Sequence, residues 1–124
     1  MNRYTVAVLV KNQFGVLNRV TSMFRRRQFN ISALTVSETE SAELSRITVL
    51  FDGEEVQKQQ LINQLYKLPD VCSIKELKSD ESVSVELLLI KMENSPKTRD
   101  EILAAAQGFE ARTVDYSKES INCL

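Results

Sequence analysis

Apolar and polar positions along the chain change period several times, and each change marks an element. Residues 4–10 are β-branched and apolar on both faces, the pattern of a central strand. The run stops at Lys11, Asn12 and Gln13 and passes Gly15 into a helical period. Val16, Leu17, Val20, Met23 and Phe24 form one stripe, with Asn18, Arg19, Ser22, Arg25 and Arg26 on the other side. Phe29 and Asn30 are expected to close this helix, because Asn tolerates the left-handed conformation that helix ends often need. Residues 31–39 alternate loosely, with Leu34 and Val36 sharing a face, and residues 45–52 alternate again through Ile47, Val49 and Phe51. Asp52-Gly53 signals a turn, and Glu54 and Glu55 suit a helix N-terminus. The stripe Leu61, Ile62, Leu65 and Leu68 follows until Pro69 ends it, and residues 71–77 read as a further strand.

That order is β-α-β-β-α-β, which predicts an α+β, ferredoxin-like module over residues 1–78. After a charged linker the pattern restarts over residues 79–124. A strand is expected at 83–92, a helix at 99–107 ended by Gly108, then strands at 111–116 and 120–124. This second ferredoxin-like module reads β-α-β-β and lacks the last helix and strand that would complete a copy of the first.

Composition narrows the function classes. With 124 residues, 43% hydrophobic and 27% charged, the chain can bury a core. A net charge of −1 gives no global attraction to nucleic acid or an anionic membrane. No apolar run reaches the ~20 residues of a spanning helix, and the first residues lack a signal-peptide core, so a cytoplasmic protein is expected. Cys72 and Cys123 sit in strand-like patterns and read as free, buried thiols. The absence of histidine removes the commonest general base and zinc ligand. The carboxylates cluster in turns and on polar helix faces, as solvated surface does. Neither a catalytic site nor a metal site is expected.

A ferredoxin-like sheet also serves RNA-binding domains, and Arg25, Arg26 and Arg27 precede Phe29. The expected central strands, however, carry Val6, Val8, Val10, Ile47, Val49 and Phe51 rather than the stacking aromatics of such domains. The arginine triplet also fits a helix C-terminus, where it offsets the macrodipole.

The remaining candidate is the turn from the first strand into the first helix. A strand that enters a helix through glycine leaves backbone N–H groups free and aimed at one spot, which suits a carboxylate. Taken alone, Gly15 serves equally well as a tight turn, and Asn12 and Asn30 as a turn cap and a helix end. Asn12 and Gly15 lie about a helix length from Asn30, ~20 Å at the usual rise, so one small ligand cannot touch both in a monomer. In a two-fold dimer the turn of one subunit can face Asn30 of the other.

Residues 9–20, with Asn12, Gly15, Val16 and Leu17, and residues 24–36, with Gln28-Phe-Asn-Ile31, resemble the regulatory small subunit of acetolactate synthase (acetohydroxyacid synthase). The likeness continues through residues 44–49, 64–71, 86–91 and 99–102, in order along nearly the whole chain. It implies an ACT domain followed by a C-terminal ferredoxin-like module. It further implies a homodimer through the ACT domain that binds valine or another branched-chain amino acid. By motif match Asn12, Gly15, Val16 and Leu17 would line the loop side of the effector site, and Asn30 and Ile31 of the other chain would complete it.

The partner implied is a separate catalytic subunit, which would carry thiamine diphosphate, Mg²⁺ and FAD; this chain would hold no cofactor. The small subunit would raise that enzyme's activity and confer end-product inhibition. Two departures from the family pattern stand out. Lys11 replaces a residue that is usually acidic, and the second module is short of its final helix and strand. The alternatives are an ACT-type amino-acid sensor for another biosynthetic enzyme and an RNA-binding module.

Overall fold

The structure, a computed structural model, describes residues 2–124. The chain divides into two compact units, Met1–Val83 and Ser84–Leu124.

In the first unit β1 (Asn2–Lys11) is followed by α1 (Val16–Arg26), β2 (Ile31–Glu38), β3 (Leu44–Gly53), α2 (Glu55–Tyr66) and β4 (Val71–Glu76). The sheet is antiparallel in the order β2-β3-β1-β4, so the two most apolar strands are central, as their patterns require. The expected βαββαβ plan is therefore the observed one. Direct cross-strand pairs share a face. Val6 pairs with Val49 and Val8 with Ile47, and all four are fully buried with Phe51 under α1 and α2. Val16, Val20, Met23 and Phe24 of α1 and Leu61 and Leu65 of α2 close this core from the helix side. Each such side chain, once fully buried, contributes ~1.5–3 kcal/mol of transfer free energy. Phe29 packs edge-on against Phe51 at 5.9 Å between ring centroids and seals the α1–β2 connection.

The face of the sheet away from α1 and α2 carries small, hydroxyl, aliphatic and basic side chains, among them Ala7, Leu9, Thr48 and Ser73. Alternation places Lys11 on this face, across from Leu44 and two residues beyond Leu9, with Arg46 and Lys75.

Three local expectations need correction. Helix α1 ends at Arg26, and the left-handed residue after it is Gln28, at φ 56°, rather than Asn30. The chain turns two residues earlier because Phe29 is then free to pack into the core. Cys72 is exposed rather than buried, while Cys123 is buried; both are free. The pairing of β1 with β4 shifts between Leu9 and Val10, whose partners are Ser73 and Val71, and Cys72 is the extra residue of that bulge.

In the second unit β5 (Ile90–Glu93), α3 (Arg99–Gly108), β6 (Thr113–Tyr116) and β7 (Ser120–Cys123) form a three-stranded sheet in the order β5-β7-β6. This reproduces the β1-β3-β2 part of the first unit; the edge of β5 is open where β4 pairs with β1. The strand expected over 83–92 is confined to Ile90–Glu93. Ile90 already pairs with Cys123, so residues before Ile90 lie beyond the reach of β7, and Val83, Val85 and Leu87 are exposed. An apolar cleft of about 550 Å³, lined in part by Ile90, Met92, Ile102, Ala106 and Phe109, lies beside α3. Buried Asn94 ties this unit together. Its Nδ2 donates to the Ser117 carbonyl at 2.6 Å, and its Oδ1 accepts from Arg99 Nε at 3.0 Å.

Candidate functional site

The candidate site is built on the four residues between β1 and α1. Gly15 stands at the helix N-cap position with φ +84°, a left-handed conformation that disfavours any side chain. No side chain caps the helix, and its first turn holds no acidic residue. The Val16 N–H reaches the Gln13 carbonyl at 3.4 Å and the Arg19 N–H the Gly15 carbonyl at 3.1 Å. Among the described residues nothing accepts from the N–H groups of Gly15, Leu17 and Asn18. Unpaired donors at the positive end of a helix dipole form a seat for an anion.

The turn is pinned on both sides. Asn12 does not cap the helix; its N–H donates to the Glu43 carbonyl at 2.8 Å and its Nδ2 to the Ala42 carbonyl at 3.1 Å. Asn12 thus fastens the turn to the β2–β3 connection. On the opposite side Arg19, one helical turn after Gly15, donates from Nε to Asp70 Oδ2 at 2.8 Å. Its Nη1 lies only 3.1 Å from where a Cβ on Gly15 would stand.

Beside the free donors is an open depression lined by Gln13, Phe14, Gly15, Leu17, Asn18 and Thr21. Leu17 is half-exposed and Phe14 fully exposed, so both give it apolar walls. Val16 contributes backbone only, because its side chain is buried in the core. Asn30 and Ile31 lie at the other end of the eleven-residue α1, ~16 Å away at the usual rise. Asn30 is exposed, and its side-chain amide has no partner among the described residues, while its carbonyl accepts from the Asp52 N–H at 3.0 Å. Ile31 packs on the rim of the core. The structure therefore places Gly15 and Leu17 on one depression with the Val16 backbone beside it, turns Asn12 away to Ala42, and keeps Asn30 and Ile31 apart from them within one chain. Lys11 sits next to the turn in sequence but on the side of the sheet away from α1 and α2.

Sequence reasoning missed Phe14, Asn18 and Thr21 as walls, and Arg19 and Asp70 as supports. Only the position of Arg19, four residues after Gly15, could have flagged one of them. Among the described residues no group of three or more His, Cys, Asp or Glu side chains could hold a metal ion. No helix of the described residues is long and apolar enough to cross a membrane.

Comparison with known proteins places this architecture. Residues 6–73 match the family described as AHAS small subunit-like ACT domain, and residues 85–123 match the family described as small subunit of acetolactate synthase. The chain is 44% identical over 118 residues to a probable acetolactate synthase small subunit of Archaeoglobus fulgidus, an alignment covering 95% of this chain and 74% of that one. It is likewise 44% identical to the acetolactate synthase small subunit of Mycolicibacterium smegmatis, covering 95% of this chain and 69% of the relative. The crystal structure of the acetolactate synthase small subunit from Thermotoga maritima superposes with a TM-score of 0.83 at 26% identity, over 99% of this chain and 77% of that one. The ACT domain of a GTP pyrophosphokinase from Chlorobium tepidum shares the fold alone, at a TM-score of 0.55 and 13% identity. On these matches, which together run through both units, the chain belongs to the acetolactate synthase small-subunit family, with an ACT domain as its first unit.

Proposed function

We propose that this chain is a non-catalytic regulatory subunit that binds valine, or another branched-chain amino acid, between the ACT domains of a homodimer. In this way it sets the activity of an acetolactate synthase catalytic subunit. The observation that carries the reading is the left-handed Gly15 turn with the free N–H groups of Gly15, Leu17 and Asn18 beside it. These donors suit the effector's carboxylate, and Leu17 and Phe14 offer apolar walls for its side chain. The ammonium group needs an acceptor beyond the free N–H donors of the turn. The side-chain oxygen of Asn30, unpartnered within its own chain, supplies one when a second copy brings it to the turn.

Edge strand β2 supports the dimer, since it pairs on one side only and exposes Leu34 and Val36. The thiamine diphosphate, Mg²⁺ and FAD of the reaction belong, on this reading, to the catalytic subunit. The small subunit raises that enzyme's activity, and valine binding withdraws the gain. If valine changes the affinity of the dimer for the catalytic subunit, linkage requires that the catalytic subunit change the affinity for valine by that same factor.

Calorimetric titration of the full chain with valine, leucine and isoleucine tests the site. Heat with at least one of them, and its loss in Asn30→Ala at an unchanged thermal midpoint, is the expected result. Silence with all three sinks the assignment. Acetolactate formation by a purified catalytic subunit, with and without this chain and valine, tests the regulatory role.

A further inference from the structure

We propose that Asp70 and Arg19 are positioning residues that hold the effector turn in its binding conformation. The inference rests on the effector reading above and deepens it by naming what keeps the site assembled. The two ends of the turn, Lys11 and α1, are both tied to one residue. The Asp70 carbonyl accepts the N–H of Lys11, the last residue of β1, at 2.9 Å. The Asp70 carboxylate accepts Arg19 Nε, in the first helical turn beyond Gly15, at 2.8 Å. Asp70 is 8% exposed and sits just ahead of β4, where the Val71 N–H bonds to the Leu68 carbonyl at 3.2 Å, so its own position is fixed by the end of α2.

Such a bracket is needed because of what glycine is. Gly15 can adopt φ +84° without strain, but it can also leave that conformation as easily as it enters it. The Arg19 guanidinium, held by Asp70 and with Nη1 at 3.1 Å from the missing Cβ, lies against the open side of the glycine and biases the turn against that escape. The pair carries some global stability, since losing Arg19 would leave an Asp70 side chain only 11% exposed without its partner, but it has a further effect at the turn. That effect falls on preorganisation: a turn already held spends none of the effector's binding energy on ordering.

Titration of the full chain and its Arg19→Met, Asp70→Asn, double and Arg19→Lys variants with valine and with valinamide tests this. Each single variant is expected to bind valine roughly tenfold more weakly and to lose preference for valine over valinamide, while Asp70→Asn, which removes the charge rather than stranding it, keeps the thermal midpoint closer to wild type than Arg19→Met does. The double variant is expected to lose no more than a single one, because the two residues act as a unit. Lysine at position 19 is expected to restore part of the loss. In the unliganded protein the H–N–C–H couplings of Gly15, which report φ, are expected to move toward averaged values in Arg19→Met. Valine binding by Arg19→Met within twofold of wild type, or additive losses in the double variant, overturns the inference alone. Failure of the wild type to bind any branched-chain amino acid overturns the effector reading instead. The Gly15 couplings then decide the positioning role by themselves, and unchanged values refute it.

Discussion

Lys58 Nζ lies 2.9 Å from Glu76 Oε2, so a nearly buried ammonium joins α2 to the edge strand β4. Lys58 also meets Glu55 at 2.7 Å and stands 4.8 Å above the ring of Tyr4, whose hydroxyl donates to Glu55. Three elements converge on one cation. Lys58→Met keeps the aliphatic stem but leaves the partly buried Glu76 unpaired. It is expected to cost ~1–3 kcal/mol in chemical denaturation. Glu55→Gln, on the exposed side, is expected to cost less than Lys58→Met. Equal losses for the two would contradict this division.

The same cluster sets a pH dependence. The Lys58 pKa is raised above its ordinary 10.5 by its hydrogen bonds with Glu55 and Glu76, so its contribution is whole below that value and is lost as pH rises through the folded-state pKa. The Glu55 pKa is lowered from 4.5, chiefly by Lys58, and that of Asp52 from 3.8, chiefly by Arg3. Their contributions are whole above those values and fade as pH falls through the lowered ones. Thermal midpoints recorded across pH are expected to show a plateau with a decline on each side. Lys58→Met is expected to remove the Lys58 part of the alkaline decline and to shrink the Glu55 part of the acid one, which Tyr4 and Lys78 also support, leaving the Asp52 part in place.

Gly15→Ala places a Cβ at φ +84°. Its steric neighbour, Arg19 Nη1, is the far end of a flexible side chain and can move, so the cost is that of the backbone conformation. The expected destabilisation is ~1–2 kcal/mol, read from urea midpoints, together with loss of valine binding. An alanine variant as stable as wild type would show that the left-handed turn is dispensable.

Neighbouring residues of the turn are expected to separate stability from binding. Leu17 is 42% exposed and faces the depression, whereas Val16 is 3% exposed and faces the core. Leu17→Ala is expected to leave the denaturation midpoint nearly unchanged and to weaken valine binding. Val16→Ala is expected to cost ~1–3 kcal/mol through the cavity it leaves. Denaturation and calorimetry on both variants check the contrast.

Much of the first unit was legible because its periods are clean: Val6, Val8 and Val10 against Ile47, Val49 and Phe51, then the α1 stripe. Local pattern could not reveal that Gln28 rather than Asn30 takes the left-handed conformation, because that depends on Phe29 reaching Phe51. It could not reveal the exposure of Cys72, which follows from a pairing shift between strands far apart in sequence. Lys58 sits in a polar run, Gln57 to Gln60, and nothing in that run marks it as buried; Glu76, 18 residues away, joins Glu55 in making its burial tolerable. Within the candidate site Gly15 and Asn12 announced themselves by type. Arg19 and Asp70 did not, because a pair 51 residues apart leaves no local signature.

The bracket on Asp70 also imposes an order of events in folding. Lys11 and Arg19 both belong to the first fifth of the chain, yet the residue that ties them lies at the threshold of β4, an edge strand and the last of its sheet to leave the ribosome. Contacts of such sequence separation form late, because the intervening chain must first be ordered. A unit with β1–β3 and α1 in place has the Asn12 ties to Ala42 and Glu43 but gains those of Asp70 only once the β4 end is docked. On the effector reading, a subunit whose sheet is incomplete would lack one of the ties that hold the binding turn.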